Sequence, residues 1–127
     1  MHKRILVIDD EEAVRKSFAL ALEDTDCTVE TVESGCKAIE KIETVKYDLI
    51  FLDLKMPGMN GVETLKEIRK KDKQVPVYIV TAFHKEFFDQ LRIAEEKGVQ
   101  FELARKPLSA DEIVFIAKSI LEWPQAM

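Results

Sequence analysis

The amino-acid sequence predicts an α/β fold, in which a doubly wound sheet of five parallel strands is covered by helices on both faces. Five short apolar runs alternate with longer amphipathic stretches along the chain. The runs at 5–8 and 49–52 are apolar throughout, which is typical of strands that are buried on both faces. Strands that are separated by helices pair in parallel through right-handed crossovers, so the alternation indicates one open parallel sheet.

The predicted strands are the runs at residues 5–8, 28–32, 49–52, 77–80 and 101–104. Between the first two runs, Val14, Phe18 and Leu22 recur at the spacing of one helix face. We therefore expect a first helix that packs this face on the sheet.

Polar residues at cap spacing predict where three further helices begin. Ser34 is expected to cap the second helix. The pairs Asn60–Glu63 and Ser109–Glu112 have the spacing of capping boxes, and they precede apolar residues at helical spacing. They predict the starts of the third and fifth helices.

The fourth helix is predicted over residues 84–97. Its inward face is expected to carry Phe87, Phe88, Leu91 and Ala94. Burial of both phenylalanines is favoured over an exposed aromatic docking site.

Length and composition predict a single globular domain over residues 1–127, with 122–127 as a C-terminal tail or the start of a linker. The chain has 127 residues, of which 46% are hydrophobic and 34% are charged. The formal net charge of -5 argues against a broad basic surface for nucleic acid. No apolar run reaches the roughly 20 residues needed to span a bilayer. We therefore expect a cytoplasmic protein with no membrane partner, in which Cys27 and Cys36 are reduced thiols.

Polar side chains suited to phosphate chemistry follow four of the five predicted strands: Asp9, Asp10 and Glu11 after the first, Asp53 after the third, Thr81 after the fourth and Lys106 after the fifth. Because open parallel sheets bind ligands at the carboxyl ends of their strands, these groups are expected to converge. Clustered carboxylates repel one another and attract a cation, and hard oxygen ligands suit Mg²⁺. A carboxylate nucleophile, a metal site, a hydroxyl and a lysine together indicate phosphoryl transfer.

Four segments resemble the receiver domains of two-component response regulators: Ile5-Leu-Val-Ile-Asp-Asp10, residues 48–61 around Asp-Leu-Lys-Met-Pro-Gly-Met-Asn-Gly, Val77-Tyr-Ile-Val-Thr-Ala82 and Arg105-Lys-Pro107. The resemblance implies a flavodoxin-like fold with the strand order 2-1-3-4-5. It also implies a switch that accepts a phosphoryl group from a sensor histidine kinase or phosphotransfer protein. The output then passes to an effector protein or to an output domain outside this chain.

The resemblance further implies a role for each site residue. Asp53 is the expected phospho-acceptor, and the only catalysis expected is of its own phosphorylation and dephosphorylation. The expected Mg²⁺ ligands are Asp10, Asp53 and the Lys55 backbone carbonyl, with Asp9 acting through water. Thr81 is expected to bind the phosphoryl group. Lys106 is expected to pair with Asp53, before a cis bond to Pro107.

The sequence departs from the family pattern at two places. The family's switch aromatic, three positions before the lysine, is Leu103 here, and Phe101 on the same strand face is the candidate replacement. The interval from Thr81 to Lys106 is also longer than is usual for the family. The side chains two positions beyond Asp53 and Thr81, Lys55 and Phe83, predict slow loss of the phosphoryl group.

Three alternatives are open at this point. A phosphatase of the haloacid-dehalogenase type needs a second acid two positions after its nucleophile, where this chain has Lys55. A flavodoxin-type flavin binder needs a phosphate loop after the first strand, where Asp9 and Asp10 would repel phosphate. A degenerate receiver that acts only as a binding module would lack part of the acceptor, metal, hydroxyl and lysine set.

Overall fold

The fold is a five-stranded parallel sheet in the order β2-β1-β3-β4-β5, as predicted. The structure is a computed structural model, and it describes residues 2–82 and 84–121. The strands are β1 Lys3–Ile8, β2 Cys27–Val32, β3 Leu49–Leu52, β4 Val77–Thr81 and β5 Glu102–Arg105. The helices are α1 Glu12–Ala21, α2 Gly35–Thr44, α3 Gly61–Lys71, α4 Phe88–Glu96 and α5 Ala110–Leu121, with a 3-10 helix at His84–Phe87.

Each face of the sheet has its own hydrophobic core. Because successive strand residues point to opposite faces, Leu6 and Ile8 of β1 join the core under α2, α3 and α4, whereas Ile5 and Val7 join the core under α1 and α5. Full burial of each such side chain contributes about 2 kcal/mol to stability. Two-sided burial explains why the central strands are apolar throughout.

The predicted helix caps are confirmed. The Ser34 side chain accepts a hydrogen bond from the backbone N–H of Lys37 at the start of α2. Asn60 and Glu63 form a reciprocal capping box at α3. The corresponding box at α5 joins Ser109 and Glu112 through bonds of 2.9 and 3.1 Å. These local bonds fix where the helices begin, and with them the loops that follow the strands.

The prediction for the fourth helix was right in position but wrong in one side chain. The segment is divided into the 3-10 helix and α4. Phe87 is buried as predicted, whereas Phe88 is 60% exposed. Neighbouring residues of a helix point about 100° apart, and the buried stripe is the series Phe87, Leu91 and Ala94. Phe88 therefore falls outside this stripe and lines a groove beside β5.

The two candidates for the family's switch aromatic differ in burial, and Phe101 directly precedes β5 rather than lying in it. Phe101 is half-buried and packs against the core under α4. Leu103 is 42% exposed and lines the same groove as Phe88. The switch role itself stays a prediction. Phe83 and the predicted tail at 122–127 lie outside the described residues.

Two further features of the described residues concern expectations from composition. None of their helices combines the length and the apolar character that crossing a membrane requires. Cys27 and Cys36 are both free thiols, the first half-buried and the second exposed.

Gly61 is the position where α3 touches the backbone that follows β3. A Cβ atom there would lie 2.3 Å from the Asp53 carbonyl oxygen and 2.6 Å from the Leu54 Cα. Both neighbours are backbone atoms, so they cannot move aside as a flexible side chain can. The helix start and the end of β3 are therefore in direct contact.

We expect Gly61→Ala to lower the free energy of unfolding by about 2 kcal/mol or more, because the added methyl group overpacks rigid backbone. Urea unfolding measures the loss. Gly58→Ala is the matched control: its Cβ would meet nothing within 4 Å, and only its positive φ of 74° carries a cost. Equal losses in the two variants would contradict the close approach at Gly61.

Candidate functional site

Asp9 and Asp53 stand side by side because of the register of the two central strands. Ile8 of β1 is the partner of Leu52 of β3, and each aspartate comes next along its strand. The Asp53 backbone N–H donates a 2.9 Å hydrogen bond to the Ile8 carbonyl, which continues the ladder to this point. The Asp9 and Asp53 residues are only 3% and 4% exposed. The sheet thus delivers two buried carboxylates to one edge.

Asp10 completes a group of three carboxylates. One oxygen from each of Asp9, Asp10 and Asp53 can be chosen so that all three lie within 4.8 Å of one another. Asp10 is exposed, so the group opens to solvent on its side. Carboxylates this close repel one another, and removal from water strengthens the repulsion. The predicted convergence of these three residues is confirmed by this geometry.

Lys106 is brought to the same place by the pairing of β5 with β4. Arg105 is the register partner of Thr81, and the Lys106 backbone N–H donates to the Thr81 carbonyl at 3.2 Å. The Lys106 ammonium lies 2.8 Å from Asp9 Oδ2 and 3.5 Å from Asp53 Oδ1. The peptide bond to Pro107 is cis, as the resemblance implied.

A fourth acid, Glu11, also faces the Lys106 ammonium, at 3.7 Å from Glu11 Oε1. Burial lowers the pKa of Lys106, but its hydrogen bond to Asp9 and the charges of Asp53, Asp9 and Glu11 outweigh burial, so the pKa is raised. Lys106 therefore stays a cation. The sequence places Glu11 after the first strand without predicting a role for it, and its position in the acidic run was the available signal.

Asp9 is oriented by hydrogen bonds from α1. The Glu11 backbone N–H donates to Asp9 Oδ1 at 2.9 Å, and the Arg15 guanidinium donates to the Asp9 carbonyl at 2.8 Å. Since Lys106 binds the other carboxylate oxygen, both oxygens of Asp9 have partners. Asp9 is thus held in place by the start of the first helix.

Asp53 is less well compensated than Asp9. Burial, and then the neighbouring Asp9 charge, raise the pKa of Asp53 from 3.8 to about 6, against the opposing influence of Lys106 and the Leu54 backbone N–H. Its Oδ1 atom is buried without a hydrogen-bond partner among the described residues. The Lys106 ammonium at 3.5 Å is an electrostatic neighbour of this oxygen, beyond normal hydrogen-bond length. A buried acceptor oxygen without a donor is suited to a cation or to an incoming electrophile.

The three carboxylates fit a hard divalent cation. All offer oxygen ligands, and the exposed side at Asp10 leaves room for water, which Mg²⁺ usually retains. The repulsion within the group favours a bound cation, as does the Asp53 Oδ1 atom, which lacks a hydrogen-bond partner within the described part of the chain. These residues can therefore hold Mg²⁺.

The other two predicted site residues lie on neighbouring segments. Thr81 ends β4 and is fully buried. Lys55 follows Asp53 by two positions, and its ammonium lies 3.5 Å from the Glu86 carboxylate in the 3-10 helix, with the two side chains 54% and 52% exposed. Glu86 was not predicted as a site residue, because no local sequence pattern links it to Lys55.

The model of the response regulator receiver domain family matches residues 5–118. Sporulation initiation phosphotransferase F of Bacillus subtilis is 30% identical over 121 residues, which cover 95% of this chain and 95% of that protein. The alkaline phosphatase synthesis transcriptional regulatory protein PhoP of the same species is 36% identical over 121 residues, 95% of this chain and 49% of that protein. The chain thus spans about half the length of PhoP.

Solved structures agree with this match. A CheY-like response regulator receiver domain protein from Methanospirillum hungatei JF-1 superimposes with a TM-score of 0.87 at 25% identity, covering 99% of this chain and 98% of that one. The response regulator protein TrrA from Thermotoga maritima, in complex with Mg(2+)-BeF, superimposes with a TM-score of 0.78 at 34% identity. This match covers 94% of this chain and 99% of that one. Since the family match spans most of the chain and the strand order agrees, this chain belongs to the response regulator receiver domain family.

Proposed function

We propose that this receiver domain is a phosphorylation-activated signalling switch whose phospho-acceptor is Asp53. The observation that carries the proposal is the buried Asp53 carboxylate, which lies beside two further carboxylates and 3.5 Å from the Lys106 ammonium. Its Oδ1 has no hydrogen-bond partner among the described residues. The donor is a sensor histidine kinase or a phosphotransfer protein. The chain acts catalytically only on its own Asp53.

The reaction is an in-line displacement at phosphorus. A carboxylate oxygen of Asp53 forms a bond to phosphorus, and the bond from phosphorus to the donor's histidine nitrogen breaks, with its electron pair leaving on the donor. Lys106 stabilises the negative charge that is shared by the transferring oxygens. The Thr81 hydroxyl donates a hydrogen bond to the same group. On hydrolysis, water attacks phosphorus, and the bond from phosphorus to the Asp53 oxygen breaks, which regenerates the carboxylate.

Mg²⁺ is the proposed cofactor, held by Asp10, Asp53 and the Lys55 backbone carbonyl, with Asp9 acting through water. When bound, it would offset the repulsion among the carboxylates and the charge of the phosphoryl oxygens. The TrrA relative was solved in complex with Mg(2+)-BeF, which supports Mg²⁺ as the cation. The Lys106 ammonium contacts Asp9 Oδ2 directly.

The proposed output is a change of the surface that follows β4 and β5, read by an effector protein or by an output domain. We propose that residues 1–127 form one receiver domain, with 122–127 as its tail or the start of a linker. Relatives differ in extent, since the matches cover 95% of the sporulation phosphotransferase and 49% of PhoP. With a net charge of -5, we propose no direct nucleic acid binding and no membrane contact by this domain.

Replacement of the acceptor is expected to abolish phosphorylation. Wild-type protein incubated with Mg²⁺ and acetyl phosphate should gain the mass of one phosphoryl group, whereas Asp53→Asn should gain none, because an amide does not supply the nucleophilic carboxylate oxygen. Intact mass spectrometry measures the gain. Asp111→Asn, an exposed acid on α5, is the matched control and should behave as wild type. Undiminished labelling of Asp53→Asn would refute the assignment.

Removal of one carboxylate is expected to weaken Mg²⁺ binding and also to relieve repulsion. Asp10→Asn should lower Mg²⁺ affinity by about tenfold or more, and it should raise the melting temperature of the metal-free protein. Titration calorimetry and thermal unfolding in chelator measure the two effects. Glu12→Gln lies in the same acidic run but pairs with Lys16 outside the group, so it serves as the control. Unchanged affinity in Asp10→Asn would place the metal elsewhere.

The raised pKa of Asp53 predicts a pH dependence of stability in the metal-free protein. Since the folded-state pKa is about 6 and the ordinary value is 3.8, the folded state binds more protons than the unfolded chain between these values. The free energy of unfolding therefore falls as pH rises through this window, by about 3 kcal/mol from Asp53.

Asp53→Asn should lack this part of the pH dependence and should be more stable than wild type at about pH 7. Urea unfolding in chelator at a series of pH values gives the difference between the two proteins. If the difference in unfolding free energy between the two proteins is the same at every pH, the pKa of Asp53 is not raised.

A further inference from the structure

The ion pair between Lys55 and Glu86 joins the two loops that leave neighbouring strands at the site. Lys55 lies in the loop after β3, two residues beyond Asp53, and Glu86 lies in the 3-10 helix after β4. Because β3 and β4 are paired in the sheet, the ion pair spans the gap between these loops. It therefore connects the segment that follows the acceptor to the segment that leads into α4.

The Lys55 ammonium contacts a carboxylate that lies outside the group of Asp9, Asp10 and Asp53. Asp9, Asp10 and Asp53 stand together, and the buried Lys106 ammonium is closest to Asp9. Lys55 is only two residues beyond Asp53, yet its ammonium contacts Glu86. Glu86 is thus a partner of this cation outside the acidic group.

Phosphorylation of Asp53 would strengthen the attraction of the site for the Lys55 ammonium. It replaces a carboxylate by a group with a charge of about -2 and three strong acceptor oxygens. The ion pair with Glu86 is half exposed, so water and salt screen it and its stability is small. A phosphoryl group on Asp53 would stand in a buried site, where the lower effective dielectric strengthens its attraction for a cation.

Release of Glu86 would act on the start of α4. Glu86 directly precedes Phe87, which is buried in the core under α4, and Phe88, which is exposed in the groove beside β5. The position of the family's switch aromatic is the aliphatic and exposed Leu103. A charge pair at Glu86 therefore offers this chain a direct connection between the site and the 3-10 helix.

We propose that Glu86 is a positioning residue, which holds the Lys55 ammonium away from Asp53 until phosphorylation draws Lys55 onto the phosphoryl oxygens and frees the 3-10 helix. This inference rests on the proposed function of Asp53. Two measurable properties should depend on Glu86: the lifetime of the phosphorylated state and the mobility of residues 84–96.

The test compares Glu86→Gln, Lys55→Gln and Glu86→Asp with wild type, each with and without acetyl phosphate and Mg²⁺. Intact mass spectrometry follows the loss of the phosphoryl group after the donor is removed. Amide hydrogen exchange follows peptides that cover residues 84–96. Glu43→Gln is the matched control, because the Glu43–Lys71 pair is also exposed, at 3.3 Å, and lies at the ends of α2 and α3 away from the site.

In wild type, phosphorylation should raise exchange in residues 84–96. Glu86→Gln should show this raised exchange without phosphorylation, and it should lose the phosphoryl group about threefold more slowly, a factor within the range of one exposed ion pair. Lys55→Gln should lose it faster, and phosphorylation should no longer alter exchange in residues 84–96. Glu86→Asp, which keeps the charge, should move back towards wild type, and Glu43→Gln should match wild type.

The outcomes separate this inference from the proposed function. If Asp53 is phosphorylated but Lys55→Gln still shows the wild-type rise in exchange, the inference is overturned and the proposed function stands. A Glu86→Gln lifetime equal to that of wild type and Glu43→Gln would also overturn it. If wild type takes up no phosphoryl group, the proposed function fails and the inference fails with it.

Discussion

Repulsion among the carboxylates at one edge of the sheet is the constraint on which the rest of the site depends. Asp9 and Asp53 are both buried there, and Asp10 adds a third oxygen group at the rim. Lys106 compensates part of this charge, but it approaches Asp9 more closely than Asp53. Burial, and then the neighbouring Asp9 charge, raise the pKa of Asp53, and its Oδ1 has no hydrogen-bond partner among the described residues. A cation or an electrophile gains most by approaching this group.

The backbone keeps this unfavourable cluster in place. Continuation of the β1–β3 ladder holds Asp9 beside Asp53, and two-sided burial of these strands resists their separation. The start of α3 packs through Gly61 directly on the backbone after β3, and the Gly61 N–H donates to the Leu54 carbonyl at 2.8 Å. The hydrophobic cores thus stabilise an arrangement that electrostatics alone would disperse. The electrostatic cost of the cluster is thus located at the site of the proposed chemistry.

The β4–β5 side of the sheet differs from the centre in its exposure. The β1 and β3 side chains next to the site are buried, whereas Leu103 of β5 and Phe88 of α4 are partly exposed around one groove. The Lys55–Glu86 pair stands at the boundary between these two regions. Because exposed ion pairs are weak and packed cores are not, the contacts on this side of the sheet are weaker than those at its centre.

The sequence by itself determined the order of strands and helices and the residues at the strand ends. Apolar runs, helical spacing and capping boxes are local patterns, and they placed Asp53, Asp10 and Lys106 at one edge as soon as the strands were taken as parallel. The tertiary structure alone decided that Lys106 lies nearer Asp9, that Phe88 faces outward and that Lys55 reaches Glu86. These outcomes depend on distances between segments far apart in the chain, and no local periodicity encodes such distances.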